Sequence, residues 1–197
     1  MYKRKPVVKL TGGEQFVNTG NKNFSVLDFW QYGFSNLNSN VLRGALAEFL
    51  VEHALKDRKD ITVRNPWGDY DVETKNGIKV EVKCSAFLQD WDQKELSKPT
   101  FSGLKAKEVY WNDAVGKMSK KEADYKADVY VLALQNHKET ETLDLLDLDQ
   151  WEFYVLSKEQ IKEITKNGNT ISLIKLEKAQ ITPQGIKSLN MAIQKVI

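Results

Sequence analysis

Apolar residues recur along this chain in two rhythms, one helical and one alternating. In residues 40–56, Val41, Leu42, Ala45, Leu46, Phe49, Leu50, Val51, Ala54 and Leu55 fall at helical spacing. They occupy most of the circumference, which predicts a buried helix. Asn38, Ser39 or Asn40 can cap it. Glu48 lies mid-helix, where a carboxylate is costly unless it is partnered. The alternative is a narrow solvated stripe shared with Glu52.

Strand-like stretches follow. A hairpin is predicted around Asn76-Gly77, with further strands at 108–111, 128–134, 151–156 and 170–176. Ser157 with Gln160 forms a capping-box pattern that opens a helix through Ile164. Thr182-Pro183 predicts the start of a last helix that runs to about Val196. Residues 1–40, rich in Gly and Asn, read as an irregular arm or small hairpin with one helical turn. Residues 41–197 read as one α/β or α+β layered domain.

The hairpin WGDYDVETKNGIKVEVKCS, residues 67–85, is the most informative segment. A two-residue loop would set Asp71 against Val82 and Glu81 against Val72, mixing charge and apolar groups on each face. A three-residue loop of Lys75, Asn76 and Gly77, with Gly77 left-handed, removes the conflict. Val72 then opposes Val80 and Glu73 opposes Lys79. Continued outward, Asp71 opposes Glu81, Tyr70 opposes Val82 and Asp69 opposes Lys83. Tyr70, Val72, Thr74, Ile78, Val80 and Val82 share one face, and the charges share the other. Asp71 and Glu81 become cross-strand neighbours with Cβ atoms ~4.5–5.5 Å apart. Two carboxylates so placed require either a proton on one of them or a cation between them. Mg²⁺ suits such a pair. Lys83 follows on the same face, within reach of a phosphate oxygen or a water beside that ion. The plainer alternative is an amphipathic hairpin whose charged face is solvated.

Composition narrows the chemistry. The chain has 197 residues, 41% hydrophobic and 28% charged, with net charge +2, which suits a soluble globular domain. Local basic clusters, Lys3, Arg4, Lys5 and Lys9 and then Lys117, Lys120, Lys121 and Lys126, could meet a polyanion or simply be solvated. Acidic residues concentrate at 139–152, a stretch expected to face away from nucleic acid. Cys84 is the only cysteine, so an intrachain disulfide and a cysteine-based zinc site are excluded, and a packed thiol is expected. His53 and His137 are too few for a histidine-rich metal centre. The basic start at 1–9 is followed by no long apolar run, and no stretch approaches a membrane span. The cytoplasm is the expected location.

These residues resemble a known superfamily. Asp71 followed after nine residues by Glu81-Val82-Lys83 is similar to the D…(D/E)-x-K signature of PD-(D/E)XK nucleases. RGALAEFLVEHAL at 43–55 resembles the first core helix of that fold, with Glu48 at the position that often supplies an acidic group. Tyr70 stands where the proline of the name would be. ADVYVLAL at 127–134 and LDLDQWEFYVLSKEQI at 146–161 resemble uncharacterised, restriction-endonuclease-like members, and the resemblance covers 41–166.

It implies a central mixed β-sheet flanked by helices, ordered helix–three strands–helix–strand. It implies a Mg²⁺- or Mn²⁺-dependent nuclease hydrolysing phosphodiester bonds and leaves the substrate open; DNA is the favoured nucleic acid, and a restriction or defence endonuclease is one role among those that share the core. Asp71, Glu81 and the Val82 carbonyl would hold the metal, Glu48 would complete that site or a second one, and Lys83 would be catalytic. Asp69 is a rival for the Asp71 role. Ser85, Lys105 and Lys107 are the candidate substrate contacts. A homodimer stays open, and the alternative function is a catalytically silent nucleic-acid-binding or interaction module on the same fold.

Overall fold

The computed structural model describes residues 5–56, 60–66, 68–107, 109–112, 117–120 and 122–197. Lys3, Arg4, Trp67, Glu108 and Lys121, together with the side chain of Lys120, lie outside the described residues.

β6 (Val129–Gln135) is buried at every position, as the unbroken apolar run from Val129 to Leu134 requires of a strand covered on both faces. It pairs in parallel with β2 (Lys79–Ala86) and antiparallel with β7 (Trp151–Ser157); β1 (Val72–Glu73) pairs antiparallel with β2. The result is a mixed four-stranded sheet ordered β1-β2-β6-β7. Alternate residues feed two cores. Val80, Val82, Val131 and Phe153 meet Ala47, Leu50 and Val51 of α2 (Asn40–Leu55) and Leu189 and Ile193 of α5 (Ile186–Lys195). Tyr130, Leu132 and Leu156 meet Phe101 of β3 (Thr100–Ser102), Ile161 of α3 (Lys158–Thr165), Ile171 of β8 (Thr170–Ser172) and Leu176 of α4 (Leu173–Lys178). Each fully buried Leu, Ile or Phe contributes about 1.5–3 kcal/mol by leaving water. The protein is therefore a mixed α/β layered structure with a central sheet flanked by helices.

β3 and β8 form a small antiparallel ladder, as do β4 (Val109–Asn112) and β5 (Lys117–Lys120). β3 and β5 have no counterpart among the strands expected from sequence. The expected strand at 170–176 stops at Ser172, because its partner β3 is only three residues long. Leu173 and Leu176 then bury one helical face, and the Leu173 N–H donates to the Pro99 carbonyl at 3.0 Å. The last helix starts at Ile186 rather than at Thr182. Gln184 instead exchanges two backbone bonds with Phe153, at 2.9 and 2.8 Å.

Near the N-terminus, α1 (Val26–Phe34) is a nine-residue helix, more than the single turn expected. Ser25 and Asp28 cap it reciprocally. α2 matches its expected span but buries only one side, leaving Val41 81% and Phe49 49% exposed. Its Arg43 is buried instead. That guanidinium donates to Asn38, Asn40 and Gln89 side chains, so the asparagines proposed as caps serve the arginine.

Candidate active site

The hairpin turn matches the three-residue register. Val72 pairs with Val80 and Glu73 with Lys79. The Thr74 N–H donates to the Ile78 carbonyl at 2.9 Å, and Gly77 has φ 81°, the left-handed conformation the loop needs.

Beyond Val72 the expected ladder does not continue. Asp71 N–H donates to the Val80 carbonyl at 3.1 Å although Val72 already faces Val80. Two residues of one strand thus answer one of the other, the arrangement of a β-bulge. Asp71 and Glu81 are therefore not a ladder pair. Tyr70 leaves its expected face and packs with the second core, its hydroxyl donating to Glu73 at 2.6 Å. Asp69 is exposed and does not pair with Lys83, which holds Glu81 instead.

The bulge frees the edge of β2. Asp128 N–H donates to the Lys79 carbonyl at 2.9 Å, so odd-numbered peptide groups of β2 serve β6 and those of Val80 and Val82 turn toward β1. With β1 ended, the Val82 N–H donates to the Asp71 carboxylate, Oδ2, at 2.8 Å. A side chain thus takes the place of the missing strand and draws Asp71 toward Glu81.

The local electrostatics are acidic. Asp71 is pushed up to about 7, first by burial, then by the charges of Glu81 and Glu48; the Val82 N–H and Lys83 pull the other way. Glu81 is also raised, by burial and by Glu48, against its ion pair with Lys83. Glu48, projecting from α2, accepts two prongs of Arg64, from Nε and, at 2.5 Å, from Nη2. That pairing holds Arg64 above its usual range. Three carboxylates thus bear on one another, and Glu81 and Glu48 each have a cation of their own.

Lys83 runs against Gly103, whose φ is 73° and where a Cβ would stand 3.7 Å from Lys83 Cε. The Ser85 hydroxyl accepts from the Thr100 N–H at 3.2 Å and so anchors β3 to β2. Lys105 sits over the Tyr125 ring, 5.1 Å from its centroid, and Lys107 is exposed. Burial raises the Cys84 thiol to about 12, and Cys84 packs against the first core, as a structural thiol should. Arg64 was not singled out from sequence: its partner lies sixteen residues away on a helix, and no local spacing marks the pair.

Asp71 and Glu81, which bear on each other at the bulge, are hard oxygen donors of the kind that suits Mg²⁺ or Mn²⁺. Among the described residues, no three Asp, Glu, His or Cys side chains are gathered closely enough to hold a metal ion. The Asp71 side of the cluster opens into a cleft of about 580 Å³, also lined by Glu52, Lys56 and Arg64. Among the described residues, no helix is long and apolar enough to cross a membrane.

No family model matches this chain, and no curated protein is significantly similar to it. The fold and site define the chain as a mixed α/β protein with an acidic, lysine-bearing cluster at the edge of its central sheet.

Proposed function

We propose that this protein is a divalent-metal-dependent nuclease of the PD-(D/E)XK type, cutting phosphodiester bonds in nucleic acid, DNA foremost. The observation that carries this reading is the state of Asp71. Its carboxyl is buried beside Glu81, takes only a peptide N–H as its direct hydrogen-bond donor among the described residues, and is lifted to about 7. Perturbed carboxyls at the mouth of a cleft are characteristic of functional sites.

Asp71 and Glu81, with the Val82 carbonyl, would hold Mg²⁺ or Mn²⁺. Such an ion supplies Lewis-acid polarisation of a phosphate and a bound water of lowered pKa. Lys83 keeps its ammonium at Glu81, where it can orient a water or neutralise charge on a phosphate oxygen. Gly103 leaves room along that lysine. Ser85 supports the strand that carries this row. A restriction-endonuclease-like core, a cytoplasmic location and a role in restriction or defence belong to the same proposal.

A second reading is a catalytically silent nucleic-acid-binding or interaction module. It is favoured by the internal ion pairs Glu81–Lys83 and Glu48–Arg64, which already satisfy most of the charged row. Incubating the protein with plasmid, linear and single-stranded DNA, with and without Mg²⁺, separates the two. Metal-dependent cleavage supports the enzyme; binding without cleavage supports the silent module.

A further inference from the structure

Arg64 stands at the seam of two clefts. One is the acidic cleft that contains Asp71. The other, about 590 Å³, lies between the N-terminal arm and residues 61–65, and its charged lining is Lys5, Lys9 and Arg64. Residues 62–65 belong to both walls. Among the described residues no acidic side chain lines the second cleft. The arm is held in place there, since Lys9 Nζ donates to the Ile61 carbonyl at 3.1 Å.

Arg64 is shaped to meet two oxygens of one anion. Glu48 engages Nε and Nη2, two of the positions that carry its five N–H donors, and fixes the plane of the guanidinium. The side chain nevertheless remains 49% exposed. A guanidinium clamped on one edge and open on another is preorganised for bidentate contact with a phosphate.

We propose that the second cleft binds the phosphodiester backbone of a nucleic acid, with Arg64 as the phosphate ligand at the seam and Lys5 as a contact farther out. Glu48 is then the positioning residue of Arg64 rather than a metal ligand. The strand lying in the basic cleft leads across the seam to Asp71. This rests on the nuclease reading for the nature of the ligand, while the cleft's charge and continuity stand without it.

The test is fluorescence anisotropy of labelled single-stranded and duplex oligonucleotides in EDTA, over a series of NaCl concentrations. Arg64→Ala is expected to weaken binding roughly tenfold and to lower the slope of log affinity against log salt by about 0.7–0.9, one phosphate's share. Lys5→Ala, at an exposed position, should lower the slope by a similar step. Arg64→Lys should keep the slope and lose affinity, because the fork is gone while the charge stays. Lys175→Ala, exposed on α4 in the other layer, should change neither. Melting temperatures establish that each variant is folded, and Lys5→Ala decides the matter should Arg64→Ala not fold. Parent-like affinity and slope in both Arg64→Ala and Lys5→Ala overturn the proposal. A parent that cuts DNA while these variants bind normally removes the cleft and leaves the nuclease. Binding that depends on Arg64 and Lys5 in a parent that never cuts removes the nuclease and leaves the cleft.

Discussion

Asp71 accepts the Val82 N–H at 2.8 Å across the point where the β1–β2 ladder ends. One hydrogen bond therefore does two things. It gives an otherwise unpaired peptide donor a partner at the sheet edge, and it holds a carboxylate beside Glu81, where burial and like charge disfavour its ionisation.

That relationship fixes a pH dependence. Asp71 has an ordinary value of 3.8 and is pushed up to about 7 in the fold. The folded protein binds this proton more tightly, so Asp71's contribution to stability is full below about pH 4 and is lost as the pH rises through 7. The slope from this group is at most about 1.4 kcal/mol per pH unit. Asp71→Asn keeps an acceptor for Val82 and abolishes that slope. Urea unfolding in EDTA from pH 4.5 to 8 should find the variant more stable than the parent at pH 8, with the gap closing toward pH 5. A parent whose stability changes with pH as the variant's does would contradict the assigned environment.

The Glu48–Arg64 pair ties α2 to the segment at 61–65. Half of Arg64's side chain is exposed, so solvent screens the pair and its worth is on the order of 1 kcal/mol. A double-mutant cycle with Glu48→Gln and Arg64→Ala, read by urea unfolding, should return a coupling of that size. Additive single effects would show that the fork contributes nothing.

The Cys84 thiol is raised to about 12 by burial, so almost no thiolate exists at neutral pH. Native protein should react with a disulfide reagent such as DTNB far more slowly than urea-unfolded protein, by at least roughly a hundredfold. Equal rates would mean that the first core does not cover this side chain.

Gly77 occupies φ 81° in the turn that sets the register. Gly77→Ala should cost about 1 kcal/mol, from the strain of a left-handed alanine. An unchanged melting temperature would mean that the turn relaxes into another type and that the register has a different origin.

How far the sequence could be read follows from the range of the forces involved. The three-residue turn was legible because side-chain parity is local and a slip would expose every valine of the hairpin. β6 was legible from its apolar run, and α3 from Ser157 and Gln160, which do cap each other's backbone. The bulge at Asp71 was not, because it depends on a side chain replacing a strand at the sheet edge. Arg43 was hidden among the apolar residues of α2, since its partners Leu88 and Gln89 are forty-five and forty-six residues away. The truncation of β8 and the late start of α5 likewise depend on distant partners, Thr100–Ser102 and Phe153. The candidate residues Asp71, Glu81, Lys83 and Glu48 do interact electrostatically in the fold, although not through the cross-strand pairing that first linked Asp71 to Glu81.

Whether Asp71 holds a metal ion for cleavage is decided by plasmid cleavage paired with thermal melting, for the parent and for Asp71→Asn, with Mg²⁺ and with EDTA. The parent should cut only with Mg²⁺ and melt several degrees higher in its presence, since an ion bound only to the folded state stabilises it. Asp71→Asn should lose nearly all cleavage and most of that increment while melting no lower than the parent in EDTA at pH 8. An Asp71→Asn protein that cuts at the parent's rate, or a parent that neither cuts nor responds to Mg²⁺, would contradict a metal-holding role for Asp71.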